Sequence, residues 1–198
     1  MEQKRIEGTG LVSSRIAVGT WSIGGWMWGG SDEGEAVKTI RTALDLGITL
    51  IDTAPAYGFG RSEELVGRAI AEHGERERVL IATKAGLEWR AGRVYRNASA
   101  ERIRAEVKES LRRLRTDYID IYQVHWPDPL VPLGETVGVL RQLFEQGAVR
   151  AIGVSNFSPE QMEIFRAVAP LHVVLPPYNL CERQIETDVL PYAERHRP

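Results

Sequence analysis

Residues Ile48–Gly60, ITLIDTAPAYGFG, decide how the rest of the chain is read. Ile48 to Ile51 is a short apolar run that breaks at Asp52 into a loop rich in Pro and Gly. That is the pattern of a buried strand ending in a loop. The amphipathic segment Ser62–Ala71 follows, with Glu63 and Glu64 in its first turn. Asp52 therefore stands at the C-terminal end of a strand, and Tyr57 lies in the loop before the next helix. In α/β architectures, that end of the strands is where chemistry is done.

Working outward, the same alternation repeats. Gln3–Ile6 and Leu11–Ser13 flank a Gly-containing turn and predict a short hairpin. Ile16–Gly19 predicts the first core strand, followed by a loop rich in Trp and Gly (WSIGGWMWGG, residues 21–30). Asp32 and Glu35 have capping-box spacing ahead of Val37, Ile40 and Leu44, and Gly47 suits the C-terminal end of that helix. Thr49–Ile51, Val79–Thr83, Ile119–Val124, Val149–Val154 and His172–Leu175 predict five more strands. The helices between and after them are expected at Ser62–Ala71, after the N-cap Ser99, at Glu135–Gln146, after Ser158-Pro159-Glu160-Gln161, and at Arg183–Arg195. Lys84–Ala98 is expected to be a long loop.

Six consecutive βα units predict a parallel sheet covered by helices. The first strand lacks the G-x-G-x-x-G of a dinucleotide-binding doubly wound unit, which favours a barrel. A closed barrel of this type has eight units and about 250 residues. The 198 residues here are therefore expected to form one domain, covering about the first six βα units of an incomplete barrel. Its exposed parallel edges predict self-association or pairing with a complementary C-terminal fragment.

A formal net charge of −2 gives no electrostatic case for nucleic acid or a membrane surface. The one cysteine, Cys181, excludes a disulfide framework or a Cys-based metal site, and none of the histidines has metal-ligand spacing to another. With no apolar leader at the N-terminus, the chain is expected to be cytoplasmic.

Asp52, Tyr57, Lys84 and His125 all fall at the C-terminal ends of adjacent predicted strands. Singly, each has an ordinary reading as a packing Tyr, a surface Lys, a capping Asp or a satisfied core His. Together on one rim they fit carbonyl reduction by hydride transfer, which needs a proton donor at the carbonyl oxygen. A phenol is a poor acid at neutral pH unless an ammonium beside it favours the phenolate, and a carboxylate can hold that ammonium in place. An imidazole can orient the carbonyl or join the proton relay.

The segments LIDTAPAYGFGRSEELVG, IATKAG, DYIDIYQVHWPDP and RAIGVSNFS resemble the aldo-keto reductase superfamily, in order and over essentially the whole chain. WSIGGWMWGG and LPPYNLCERQIETDVLPYAERH are similar to bacterial members that also resemble potassium-channel β subunits. The resemblance implies a (β/α)8 barrel binding NADP(H) at its C-terminal rim, with a tetrad of Asp52, Tyr57, Lys84 and His125. It gives Tyr57 the role of general acid in reduction of a small aldehyde or ketone. It also implies cofactor contacts from Gly19, Thr20, Trp21 and Asp52, and carboxamide contacts from Ser155 and Asn156. The substrate pocket is expected to be walled by Trp21, Tyr57, Trp89, His125 and Trp126; Trp26 and Trp28 are candidate walls too, but can equally pack their loop on itself. Leu175 stands where the family usually has Gln, and the family's later cofactor-binding segments are not among these residues. His196-Arg197-Pro198 stands where a turn into a seventh strand is expected. A catalytically weak NADP(H)-sensing or scaffold barrel, or an inactive fragment, is thus the alternative to the reductase.

Overall fold

A computed structural model describes residues 1–196. Arg197 and Pro198, assigned above to the expected turn, lie outside the described residues. The chain opens with an antiparallel hairpin, β1 (Gln3–Arg5) and β2 (Val12–Ser14). Strand β3 (Ala17–Gly19) leads through the Trp/Gly loop to α1 (Glu33–Asp45). Next come β4 (Leu50–Asp52), α2 (Arg61–His73) and β5 (Leu80–Ala85). Here the expected long loop is instead a second antiparallel hairpin, β6 (Leu87–Arg90) and β7 (Arg93–Arg96). The remaining elements are α3 (Ala100–Leu114), β8 (Ile119–Val124), α4 (Leu133–Glu145), β9 (Val149–Ser155), α5 (Pro159–Arg166), β10 (Val173–Leu175) and α6 (Val189–His196).

Several boundaries follow from caps legible in the sequence. Asp32 and Ser99 accept the backbone N–H groups of Glu35 and Arg102 at the starts of α1 and α3. Ser158 and Gln161 form a full capping box with Pro159 in the first turn of α5. Two expectations are corrected. At Asp32 only half of the capping box forms, from the Asp side. The helix expected over Arg183–Arg195 is a 3-10 turn at Gln184–Glu186 followed by the shorter α6.

Six strands form one parallel sheet in the order β3-β4-β5-β8-β9-β10, with β3 and β10 as unpaired edges. This is a half-barrel. The central strands β5 and β8 are buried along their whole length, whereas the edge strands are partly exposed. Ile51, Ile81, Tyr122, Ile152 and Val154 point outward and join the helices in the larger apolar cluster. Leu80, Ala82, Ile121 and Ala151 point inward, where Leu11 from the β1–β2 hairpin packs on them. The hairpin thus fills the N-terminal end of the inner face, and the C-terminal end is left for the site.

Polar groups are also buried between sheet and helices. Glu63 on α2 accepts from Arg113 Nε at 2.6 Å and from Thr83 Oγ1 at 2.7 Å. Glu106 on α3 accepts the backbone N–H of Gly86 at 2.9 Å, and its carboxyl lies 3.5 Å from Arg102. Burial pushes the Glu106 carboxyl up to about 8, against the pull of Arg102. A group raised in the folded state stabilises fully below its unfolded value, and that stability is lost as pH rises through the folded value. Stability should therefore fall between about pH 4.5 and about pH 8, by on the order of 5 kcal/mol at most. Glu106→Gln keeps an acceptor for Gly86 and should flatten this decline in chemical denaturation measured across that range. An unchanged slope would show that Glu106 does not titrate there.

Candidate active site

The two-residue period of a strand accounts for the site. On β5, Leu80, Ala82 and Lys84 share the inner face; on β4, Leu50 and Asp52 do. His125 continues the inward parity of Ile121 on β8, and Ser155 that of Ala151 on β9. These side chains therefore meet at one rim, as the sequence predicts.

Lys84 is the centre of the arrangement and is only 1% exposed. Its ammonium donates to both Asp52 carboxylate oxygens at 2.8 and 2.9 Å, to the Thr53 carbonyl at 3.0 Å and to Tyr57 Oη at 3.3 Å. A buried ammonium persists as a cation only with such partners. Because the phenol oxygen accepts from Lys84, its own O–H proton remains available to a further acceptor. The His125 ring stands edge-on to Tyr57 at 5.7 Å, and its backbone N–H donates to Ala85. Burial, reinforced by the charge of Lys84, pulls the imidazole down to about 3. His125 is therefore neutral in ordinary solution, with one ring N–H to donate and one nitrogen to accept.

The Tyr57 loop is held from the β3 side. A Cβ on Gly24 would lie 2.7 Å from the Tyr57 carbonyl, and one on Gly58, at φ +64°, would collide with the Gly24 backbone. Glycine at both positions lets the two loops touch main chain to main chain. Trp21 stacks beside Tyr57 at 6.1 Å and 25°, and Trp28 meets Trp21 edge-on.

A cleft of about 440 Å³ opens over these groups. Trp21, Tyr57, Lys84, His125, Trp126, Ser155 and Asn156 line it, as expected; so does Trp26, for which the sequence left pocket wall and loop packing open, and so do Leu87, Val94 and Leu175, which were not assigned to it above. Trp89 is not among the lining residues; its ring packs against Phe59 at 5.9 Å. Gly19 lies exposed on the edge strand β3, and Thr20 is fully buried, donating to the Asp52 carbonyl at 2.9 Å. Neither lines the cleft. The hairpin residues escaped the sequence reading, and Trp26 was left open by it, because their orientation depends on contacts between loops.

Asn156, in the left-handed region at φ +62°, donates its amide N–H to the His125 carbonyl at 3.0 Å and to Ser155 Oγ at 2.9 Å. Both of its bonds use the nitrogen, and the amide oxygen has no hydrogen-bond partner among the described residues.

Residues 15–197 match the sequence model of the Aldo/keto reductase family. This chain belongs to that family. It is 61% identical to the aldo-keto reductase YhdN of Bacillus subtilis over 197 residues, covering 100% of this chain and 60% of that protein. It is 40% identical to the NADH-specific methylglyoxal reductase of Escherichia coli over 198 residues, covering 92% of this chain and 60% of that protein. Among solved structures, a glycerol dehydrogenase from Gluconobacter oxydans superimposes with a TM-score of 0.92 at 54% identity, over 98% of this chain and 61% of that one. The aldo/keto reductase segment seen here thus spans about 60% of the length of these relatives. Among its described residues, no helix is long and apolar enough to cross a membrane.

The aldo/keto reductase cleft has polar and apolar walls suited to a nicotinamide ring. Ser155 and the free Asn156 oxygen offer partners for a carboxamide, and Trp21 and Tyr57 offer ring faces. At about 440 Å³ it has room for that ring and a small carbonyl compound.

Proposed function

We propose that this site reduces small aldehydes or ketones to alcohols with NADP(H), Tyr57 acting as the proton donor. The observation that carries the reading is the 3.3 Å contact from the Lys84 ammonium to Tyr57 Oη, with the phenol proton free and the cleft beside it.

Ser155 and Asn156 would hold the nicotinamide carboxamide, with Trp21 lining the same cleft. The cofactor, when bound, supplies a hydride to the carbonyl carbon. Everything else falls to the chain's own side chains. Neutral His125 donates a hydrogen bond to the substrate oxygen and orients it. Tyr57 gives its proton to that oxygen as negative charge develops there. Lys84 stabilises the phenolate left behind, and Asp52 keeps the ammonium from turning away. In alcohol oxidation the same phenolate takes the proton back.

Leu175 favours a second reading, a barrel that binds the cofactor without turning it over efficiently. Its side chain lines the cleft next to Asn156 and offers no hydrogen bond to a carboxamide. A missing bond to a buried polar group costs about 1–3 kcal/mol.

The two readings separate in one experiment on the 198-residue chain. NADPH or NADH is added, quenching of Trp fluorescence is followed, and methylglyoxal is then supplied. The reductase reading expects saturable quenching, stronger with NADPH, and then loss of reduced cofactor that depends on the aldehyde. Saturable quenching without consumption of methylglyoxal or other small carbonyls would leave the binding-only barrel.

A further inference from the structure

The β6–β7 hairpin is built to present one face to the cleft. Ala91 and Gly92, with φ of +48° and +74°, make the tight turn in which both central residues are left-handed. Pairing of Leu87 with Arg96 and of Trp89 with Val94 places these four side chains on the same face. Leu87 and Val94 line the cleft.

Two attachments fix that face in position. On one side, Trp89 packs on Phe59, which packs on Trp26 at 5.1 Å, and Trp26 is itself a cleft residue. On the other side, the Arg96 guanidinium lies 5.2 Å over the Trp126 ring and donates to the Pro127 carbonyl at 3.2 Å. At its base, the Gly86 N–H is held by buried Glu106. The wall facing Tyr57 and His125 is therefore a braced surface; Leu87 and Val94 are the two side chains on it with no ring or ion partner among the described residues, and of these Leu87 is buried whereas Val94 is only half-buried.

We propose that Val94 is a specificity-determining residue, setting how large an apolar substituent a carbonyl substrate can carry. The inference rests on the reductase reading for its turnover assay, and on the cleft alone for its binding assay. The substrates favoured at this wall are carbonyl compounds with an apolar arm, aryl or branched alkyl, because Leu87, Val94, Trp26 and Trp126 offer no charge to a polar one.

The test compares phenylglyoxal with methylglyoxal, which differ only in that arm, on wild type, Val94→Phe and Val94→Ala. Val94→Phe should lower the ratio of kcat/KM for phenylglyoxal over methylglyoxal about tenfold, the scale of a misfit in an apolar pocket. Val94→Ala should raise it. Tyr95→Phe, an exposed change on the opposite face of the hairpin, should leave it unaltered. A ratio unchanged in both Val94 variants overturns the proposal. If wild type reduces neither compound, the reductase reading fails, and calorimetric titration with benzamide decides the hairpin's role separately. Binding that weakens about fivefold or more in Val94→Phe, in protein whose thermal melt is normal, supports it. Equal binding by the variants, or no binding by wild type, overturns it.

Discussion

Tyr57→Phe should abolish nearly all carbonyl reduction while leaving cofactor binding almost unchanged. The substitution removes the oxygen that accepts from Lys84 and the proton that the proposed reaction delivers. It keeps the ring that stacks beside Trp21 at 6.1 Å and meets His125 edge-on. General-acid catalysis typically contributes about 10²–10⁴ in rate, so the loss should fall in that range. Lys84 keeps its bonds to Asp52 and the Thr53 carbonyl, so the fold should lose little. Single-turnover reduction beside NADPH titration by Trp fluorescence measures both quantities on one sample. Equal turnover by mutant and parent would remove Tyr57 from the chemistry. Loss of cofactor binding together with turnover would make it a binding residue instead.

The largest stability effect is expected far from this rim. Asp120, at the start of β8, is 0% exposed and accepts from three donors on separate segments. Arg76 Nη2 and Arg150 Nη1 reach it at 2.8 Å each, and the Ile81 N–H of β5 at 3.0 Å. The Tyr118 ring has the same two guanidinium groups against it, at 4.1 and 5.7 Å. Asp120→Ala strands a buried backbone N–H and removes the anion that balances Arg76. Breaking a buried pair from one side costs about 3–5 kcal/mol. At about 2–4 °C per kcal/mol for a chain of this size, the melting temperature should fall by roughly 10 °C. Asp120→Asn keeps one acceptor and should lose less. A shift below about 2 °C in Asp120→Ala would show that water replaces the carboxylate at little cost.

The hairpin at Leu87–Arg96 shows why part of the fold escaped the sequence. Its turn is Ala-Gly, and Ala is an uncommon residue at a left-handed first position, so the usual Asn-Gly or Asp-Gly signal is missing. What holds Ala91 there is the pairing on either side and the anchoring of Trp89 and Arg96 to other loops. Those contacts join residues about 30 or more apart in sequence and leave no local pattern. Asp120 was passed over for a similar reason. In sequence it is one polar residue in an apolar strand, and only folding brings Arg76 and Arg150 to it.

The sequence by itself determined the βα alternation, the caps at Asp32, Ser99 and Ser158, and the strand ends that carry Asp52, Lys84 and His125. Those depend on short-range periodicity and local hydrogen bonds, which a linear pattern records. The tertiary structure decided which way the loops face. Trp26, Leu87 and Val94 reach the cleft and Trp89 does not, because ring packing and a cation–π contact between separate loops set their orientation. The same long-range geometry puts the Lys84 ammonium on Tyr57 and leaves the half-buried His125 a neutral ring. The residue types were visible in the chain, but their charges and distances exist only once the strands are side by side.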